Sequence, residues 1–452
     1  MSDPYTTPAE AERPPPATRA ARLRQLGPGV VIAGSIVGSG ELILTSSLGA
    51  AAGFTLLWWM LVCSWSKSLV QAEFARYVVA SGDTYLRALN RMPGRLPGPG
   101  KPVSWTLWFS LLSFLPGLIG MGGILGAAGQ ALALVFPTVD SRVFTLLAAL
   151  AASAVLFSGS YRRLERTMLV LVAGFTVATA GAAIAMQFTE FQVSAADLAA
   201  GFTFDFPPEY WVLALAVYGA TGVNSAEIST YTYWCVEKGY PSFIGARRDD
   251  PDWPKRARGW IHVLQTDVWI TLAILTCATL PFYLLGAGVL HASGRQPQGL
   301  ETVQVLSSMF TSTLGGWSLW LFGGAAFCIL YSSVVGGFGG ISRFAPDFLV
   351  EFGYLARSNI AARRRWIRGC GALLPVASAV GYFVMPSPVA LLTVGALMGA
   401  VLLPLQSGAT IWLQRHRMDP RVRHSPFVQA ALWLTFLFQL AMAAAILWFV
   451  IG

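Results

Sequence analysis

Charge is the scarcest commodity in this sequence. Only 12% of its 452 residues are Asp, Glu, Lys or Arg, where an ordinary soluble domain carries about 25%. That shortage excludes a soluble enzyme and a disordered chain, both of which need charged surface. Cysteine is scarce as well. The five present (Cys63, Cys235, Cys277, Cys328 and Cys370) lie in or at the ends of apolar segments with no CxxC pair. A disulfide-stapled secreted domain is thereby excluded, and the cysteines read as small buried hydrophobes. The four histidines (His262, His291, His416 and His424) are scattered over span ends and loops. HExxH, G-x-S-x-G and phosphate-loop motifs are missing, so hydrolysis and ATP use have no support and an enzyme is not expected. No short apolar stretch ends in a cleavage site before the first long one, so no signal peptide is read.

What the chain has instead is apolar length. Its hydrophobic fraction is 55% and its mean hydropathy +0.57, and a helix needs about 20 apolar residues to cross the hydrocarbon core of a bilayer. Eleven candidate spans fit, at about 27–50, 54–76, 104–136, 142–160, 166–187, 209–235, 259–289, 306–341, 366–386, 388–414 and 427–451. The expected class is an all-α polytopic membrane protein. Residues 1–25 are polar, contain Pro14, Pro15 and Pro16 in a row, and read as a disordered cytoplasmic tail. Residues 26–452 read as a single transporter domain.

The net charge of +9 could suggest a nucleic-acid partner, but the basic residues sort by loop. All of them except Lys67, Arg142 and Arg295 fall in the N-terminal tail or in the loops after even-numbered spans. The positive-inside rule makes that side cytoplasmic. Eleven spans then put the N-terminus inside and the C-terminus outside, in a bacterial inner (plasma) membrane. The expected surroundings are the lipid bilayer and a small ion or solute, with no nucleic acid. A monomer would suffice.

Two spans carry matching interruptions. Span 1 contains Gly34-Ser35-Ile36-Val37-Gly38-Ser39-Gly40-Glu41, and span 6 contains Ala220-Thr221-Gly222-Val223-Asn224-Ser225-Ala226-Glu227. Gly38, Gly40 and Asn224 are poor helix formers. Ser39 and Ser225 are good N-caps, each with a Glu two residues later, where the positive end of a helix dipole favours a carboxylate. Both spans are therefore expected to stop, unwind and restart, with Ser39, Gly40, Val223 and Ser225 in the breaks. Close packing of small residues would explain a single Gly-x-Gly equally well. Two matched breaks five spans apart instead fit an inverted-repeat transporter. Repeat one would run over about 27–187 and repeat two over about 209–414, with 427–451 an added helix.

Charged residues inside the membrane are costly and by default functional. Glu73 stands three residues before Arg76, the spacing of an i,i+3 pair. Asp267 lies about two turns into span 7, with Gln265 and Thr266 nearby. Glu41 and Glu227, carbonyls from Val37 or Gly38 and from Ala220, and Asn224 would compose an all-oxygen substrate site. Such a site suits a hard divalent cation such as Mg²⁺, with Mn²⁺ as a borderline case. Lys67 could pair with Glu41, Glu73 or Glu227, carry a proton, or stand in for a coupling cation.

Several local motifs resemble the NRAMP (natural resistance-associated macrophage protein) divalent metal transporters. They are Gly27-Pro28-Gly29 before the first break, Gly53-Phe54 and Leu56-Leu57-Trp58 after it, Gly219-Ala220-Thr221 before the second, and Leu321-Phe322-Gly323 with Ser332-Ser333 in span 8. The resemblance implies a LeuT-like 5+5 inverted repeat with discontinuous helices 1 and 6, a secondary-active transporter working by alternating access, and, since the family has an Asp at about the place of Asp267, a gating or helix-positioning role for that residue. Departures mark a divergent branch. Where the family's first break reads Asp-Pro-Gly-Asn, this chain has Gly38-Ser39-Gly40-Glu41. The Met-Pro-His of the second break is replaced by Val223-Asn224-Ser225. The soft thioether that favours transition metals is gone, and span 3 lacks the carboxylate of the family's proton route. Manganese or iron selectivity is not implied. The expected function is transport of a Mg²⁺- or Mn²⁺-class cation, with a proton link open. A small organic solute, an amino acid or amine, is the alternative. No cofactor is expected, the cation being the substrate.

Overall fold

A computed structural model describes residues 5, 11–36, 40–158, 161–247 and 250–451. Two of the apolar spans do not run straight through it. The first comprises helix α1 (Pro28–Ile36) and, on the far side of residues 37–39, a π-helical turn over Gly40–Thr45 that continues into α2 (Ser46–Ala52). The chain then forms α3 (Leu57–Ser81), α4 (Phe114–Val135), α5 (Ser141–Ser158) and α6 (Tyr161–Ala185). The second broken span is α7 (Trp211–Ala220) followed by α8 (Ser225–Lys238). The remaining long helices are α9 (Asp252–Leu285), α10 (Ser318–Ile341), α11 (Ile360–Val384), α12 (Pro388–His416) and α13 (Pro426–Ile451).

Among the described residues, six helical stretches are long and apolar enough to cross a bilayer, and two shorter apolar helices accompany them. The broken spans fall short because each half is about two turns to four turns long, and α3 because it carries Lys67, Glu73 and Arg76. One expected span needs correcting. Residues 306–341 are two helices, Thr302–Leu314 and α10, because Gly315 ends the first with φ +90°. A left-handed residue there is cheap only for glycine.

Water supplies no drive for helices to associate inside lipid, so close approach between small residues does the work. A Cβ on Gly120 of α4 would stand 3.1 Å from the Gly395 Cα of α12. Gly219, in the last turn of α7, presses on the Ala396 carbonyl of α12 in the same way. These contacts draw α4, α7 and α12 around the second break.

The N-terminal stretch also departs from expectation. Over residues 11–25 it docks on the protein instead of being a solvated tail. Arg13 donates its amide to the Phe243 carbonyl (2.9 Å) and accepts from Trp260 Nε1 (3.0 Å), and Glu12 pairs with Arg256 at 2.9 Å. Composition misses this because the proline run, which removes donors and favours extended chain, lets Pro15 lie against Gly259.

Candidate functional site

The second break shows how backbone is satisfied when a helix stops at membrane depth. Helix α7 ends at Ala220, Thr221 turns extended, and Gly222 takes φ +65°. Asn224 then caps α8, its Oδ1 accepting from the amides of Ala226 (2.8 Å) and Glu227 (3.1 Å). The cap is thus Asn224 and not Ser225, which is the first helical residue. The longer reach of the Asn224 side-chain amide, from one position earlier, lets its oxygen serve two amides at once, so that oxygen is committed to the helix. In the first break, Gly38 and Ser39 lie outside the described residues, as does the Val37 carbonyl. Gly40 opens the π-helical turn.

The two breaks meet. A Cβ on Gly40 would stand 2.7 Å from the Ala220 carbonyl oxygen, so only glycine allows this approach. Thr45 and Thr221 share a hydroxyl–hydroxyl hydrogen bond of 2.9 Å. Glu41 is fully buried and spans the junction. Its Oε1 accepts from the Gly222 amide (3.1 Å) and from Thr279 of α9 (3.3 Å). Its Oε2 and the Oε2 of Glu227 are both buried without a hydrogen-bond partner among the described residues. Glu41, Glu227 and Lys67 lie within electrostatic range of one another. A polar atom buried without a partner costs about 1–3 kcal/mol, so two carboxylate oxygens left this way in adjoining breaks mark a place for a ligand.

Gly40, Ala220, Asn224 and Glu227 line a cavity of about 180 Å³ that extends past Ser229 and Trp234 to Leu86, Phe344 and Phe348. Glu41 is not part of the lining. Val223 is buried, and Ser225 faces the cavity while its carbonyl accepts from Gln406 Nε2 at 2.8 Å. The one thioether in the lining, Met121, packs against Gly337 of α10.

Lys67 and Asp267 take positions that sequence alone left open. The Lys67 ammonium pairs with none of the three carboxylates considered for it. It donates to the main-chain carbonyls of Tyr218 (2.5 Å) and Thr221 (2.6 Å) and lies 5.0 Å from the centre of the Tyr218 ring. Glu73 is engaged elsewhere, by Arg76 at 2.7 Å and by His424 at 3.1 Å. Asp267 accepts from the amides of Gly29 (2.6 Å) and Gly27 (3.3 Å) and from the Tyr231 hydroxyl (2.9 Å). It therefore holds the N-terminus of α1, where a carboxylate opposes the positive dipole end.

Thr279, Thr45 and Gln406 join the site without having been singled out. Gln406 had a signal, an amide well inside the apolar α12, whose other glutamine, Gln414, stands near its end. The threonines had none, because hydroxyls in membrane helices usually bond to their own backbone.

The sequence pattern described as natural resistance-associated macrophage protein-like matches residues 29–449. An uncharacterised protein of Pasteurella multocida is 24% identical over 323 residues, covering 70% of this chain and 69% of its own length. Among solved structures, a manganese transporter of Eremococcus coleocola superposes with a TM-score of 0.66 at 16% identity, over 99% of this chain and 91% of that one. MhsT in complex with L-phenylalanine gives 0.58 at 15% identity, over 96% and 99%. Mhp1, a nucleobase-cation-symport-1 family transporter with bromovinylhydantoin bound, gives 0.58 at 10% identity, over 93% of each chain. At these identities the structures speak for the LeuT-like fold.

Proposed function

The chain belongs to the natural resistance-associated macrophage protein (NRAMP) family, and from that premise we propose that it is a secondary-active transporter of a divalent cation. The substrate binds where the two breaks meet, with Glu41 and Glu227 as its charged ligands, Gly38 and Ala220 supplying neutral oxygens, and Asn224 capping the helix that presents Glu227. The observation that carries this reading is the pair of buried carboxylate oxygens, Glu41 Oε2 and Glu227 Oε2, that no described residue satisfies. Two carboxylates balance a divalent charge in a low-dielectric setting, and an all-oxygen donor set favours Mg²⁺, then Mn²⁺. Thr221, Gly222 and Val223 free the second break from helical geometry, and Asp267 positions α1 for the gating movement.

Proton linkage follows from the same ligands. A carboxylate must be deprotonated to bind a metal, so protons and cation compete for Glu41 and Glu227 and exchange between them. The repeats span about 27–187 and 209–414, and the basic loops face the cytoplasm of a bacterium.

Purified protein in liposomes tests the assignment. Native protein takes up Mg²⁺ or Mn²⁺, and Glu41→Gln and Glu227→Gln each lower the flux at least ten-fold while leaving the detergent-solubilised protein folded. Flux at the native level in Glu41→Gln contradicts the site. The second reading, a small organic solute, draws on the size of the cavity and its aromatic wall of Trp234, Phe344 and Phe348. Calorimetry separates the two, since heat from L-amino acids and none from Mg²⁺ or Mn²⁺ reverses their order.

A further inference from the structure

The mechanism above has no use for Lys67, yet this is the most completely enclosed cation in the described chain. Its side chain is fully buried in α3. Two donors of the ammonium go to the carbonyls of Tyr218 and Thr221, at 2.5 and 2.6 Å, and the Tyr218 ring faces it at 5.0 Å. Both carbonyls belong to the end of α7, where a helix leaves its last oxygens unpaired and carries its negative dipole end. Carbonyl oxygens gathered at a half-helix C-terminus are how this architecture holds a diffusible monovalent cation, and carbonyl rings replace the water of alkali ions in the same manner.

The surroundings fix the cation to the break and not to a counter-ion. Among the described residues, no carboxylate lies within ion-pair distance of Lys67, although Glu41 and Glu227 lie within electrostatic range. The segment it holds is pinned on two further sides. Glu41 takes the Gly222 amide, and Thr45 takes the Thr221 hydroxyl. Gly222 itself lies so close to α3 that a Cβ would stand 2.9 Å from the Ser64 Cα, one turn before Lys67. The lysine reaches the carbonyls because α3 touches the break at this glycine.

We propose that Lys67 is a tethered monovalent cation: its ammonium permanently fills an alkali-ion site formed by the Tyr218 and Thr221 carbonyls, so that transport needs neither Na⁺ nor K⁺. Lys67 acts as a positioning residue, holding the second break in the shape that presents Glu227. The proposal rests on the chain being a transporter, but the cation site itself can be read without flux.

The test compares native protein, Lys67→Met and Lys67→Ala in NaCl, KCl and choline chloride, by Mg²⁺ or Mn²⁺ uptake in liposomes and by thermal unfolding in detergent. Native protein is expected to give equal uptake and equal unfolding midpoints in all three salts. Lys67→Met, which fills the space without charge, loses uptake at least ten-fold in every salt. Lys67→Ala vacates the site, so Na⁺ or K⁺ raises its midpoint over choline and restores uptake by five-fold or more. A packing role alone produces no such salt selectivity. Native protein that requires Na⁺ or K⁺, Lys67→Met that transports at the native rate, or Lys67→Ala indifferent to the salt in both readouts overturns the proposal. If Lys67→Ala does not fold in any salt, the native and Lys67→Met measurements still decide. If native protein moves no divalent cation, the transport reading fails by itself, and the unfolding midpoints still report on the cation site.

Discussion

Asp267 shows what one side chain contributes at a break. Its carboxylate gathers two amides at the start of α1 and the hydroxyl of Tyr231, and hydrogen bonds to a charged group contribute about 1.5–3 kcal/mol each. Replacing it with Asn leaves one acceptor oxygen and turns the other position into a donor that faces an amide. Asp267→Asn is expected to destabilise the fold by about 1–2 kcal/mol, seen as a lower unfolding midpoint and faster amide exchange at Gly29. Unchanged exchange at Gly29 contradicts the capping role. The sequence singled out Asp267 through the family resemblance, for a gating or a helix-positioning role, and its amide partners at the start of α1 come from the fold. The partners of Lys67 were not legible. They are main-chain carbonyls, which any residue supplies, so carboxylates were the only partners a sequence could suggest. Asn224 and Ser225 show a milder version of the same limit, because both are capping residues and only geometry selects between neighbours.

At the scale of elements, the breaks were the most readable feature of the chain. Glycine, asparagine and serine in the middle of an apolar run have no other common cause than a break or a close contact, and here both occur. Gly222 combines a left-handed φ of +65° with a Cβ position 2.9 Å from Ser64. Gly222→Ala is therefore expected to cost about 1–2 kcal/mol from backbone strain alone, with a further loss of flux because α3 and the break must separate. Calorimetric unfolding checks the first and liposome uptake the second. An alanine variant with native stability and flux would mean that the break does not hold this conformation. The boundary at Gly315 escaped notice for the opposite reason. Leu314 and Trp317 flank Gly315 and Gly316 directly, and the uncharged Thr311, Ser312 and Thr313 before them do not interrupt a membrane span, so the segment reads as continuous while the backbone turns.

For the whole molecule, low charge first serves to name the class and then to locate the site. The charges around the breaks sort into three duties. Asp267 holds α1, Lys67 holds the end of α7, and Glu41 and Glu227 each keep a buried Oε2 that no described residue satisfies. The fold places the two breaks in contact through Gly40 and Ala220. The central claim, a divalent cation bound between Glu41 and Glu227, is tested most directly by anomalous scattering from crystals grown with Mn²⁺. The expected result is one strong peak at the junction of the breaks, within about 2.0–2.6 Å of oxygens of both Glu41 and Glu227, and its loss in Glu41→Gln. A peak elsewhere, or one at the junction that persists unchanged in Glu41→Gln, would contradict the account.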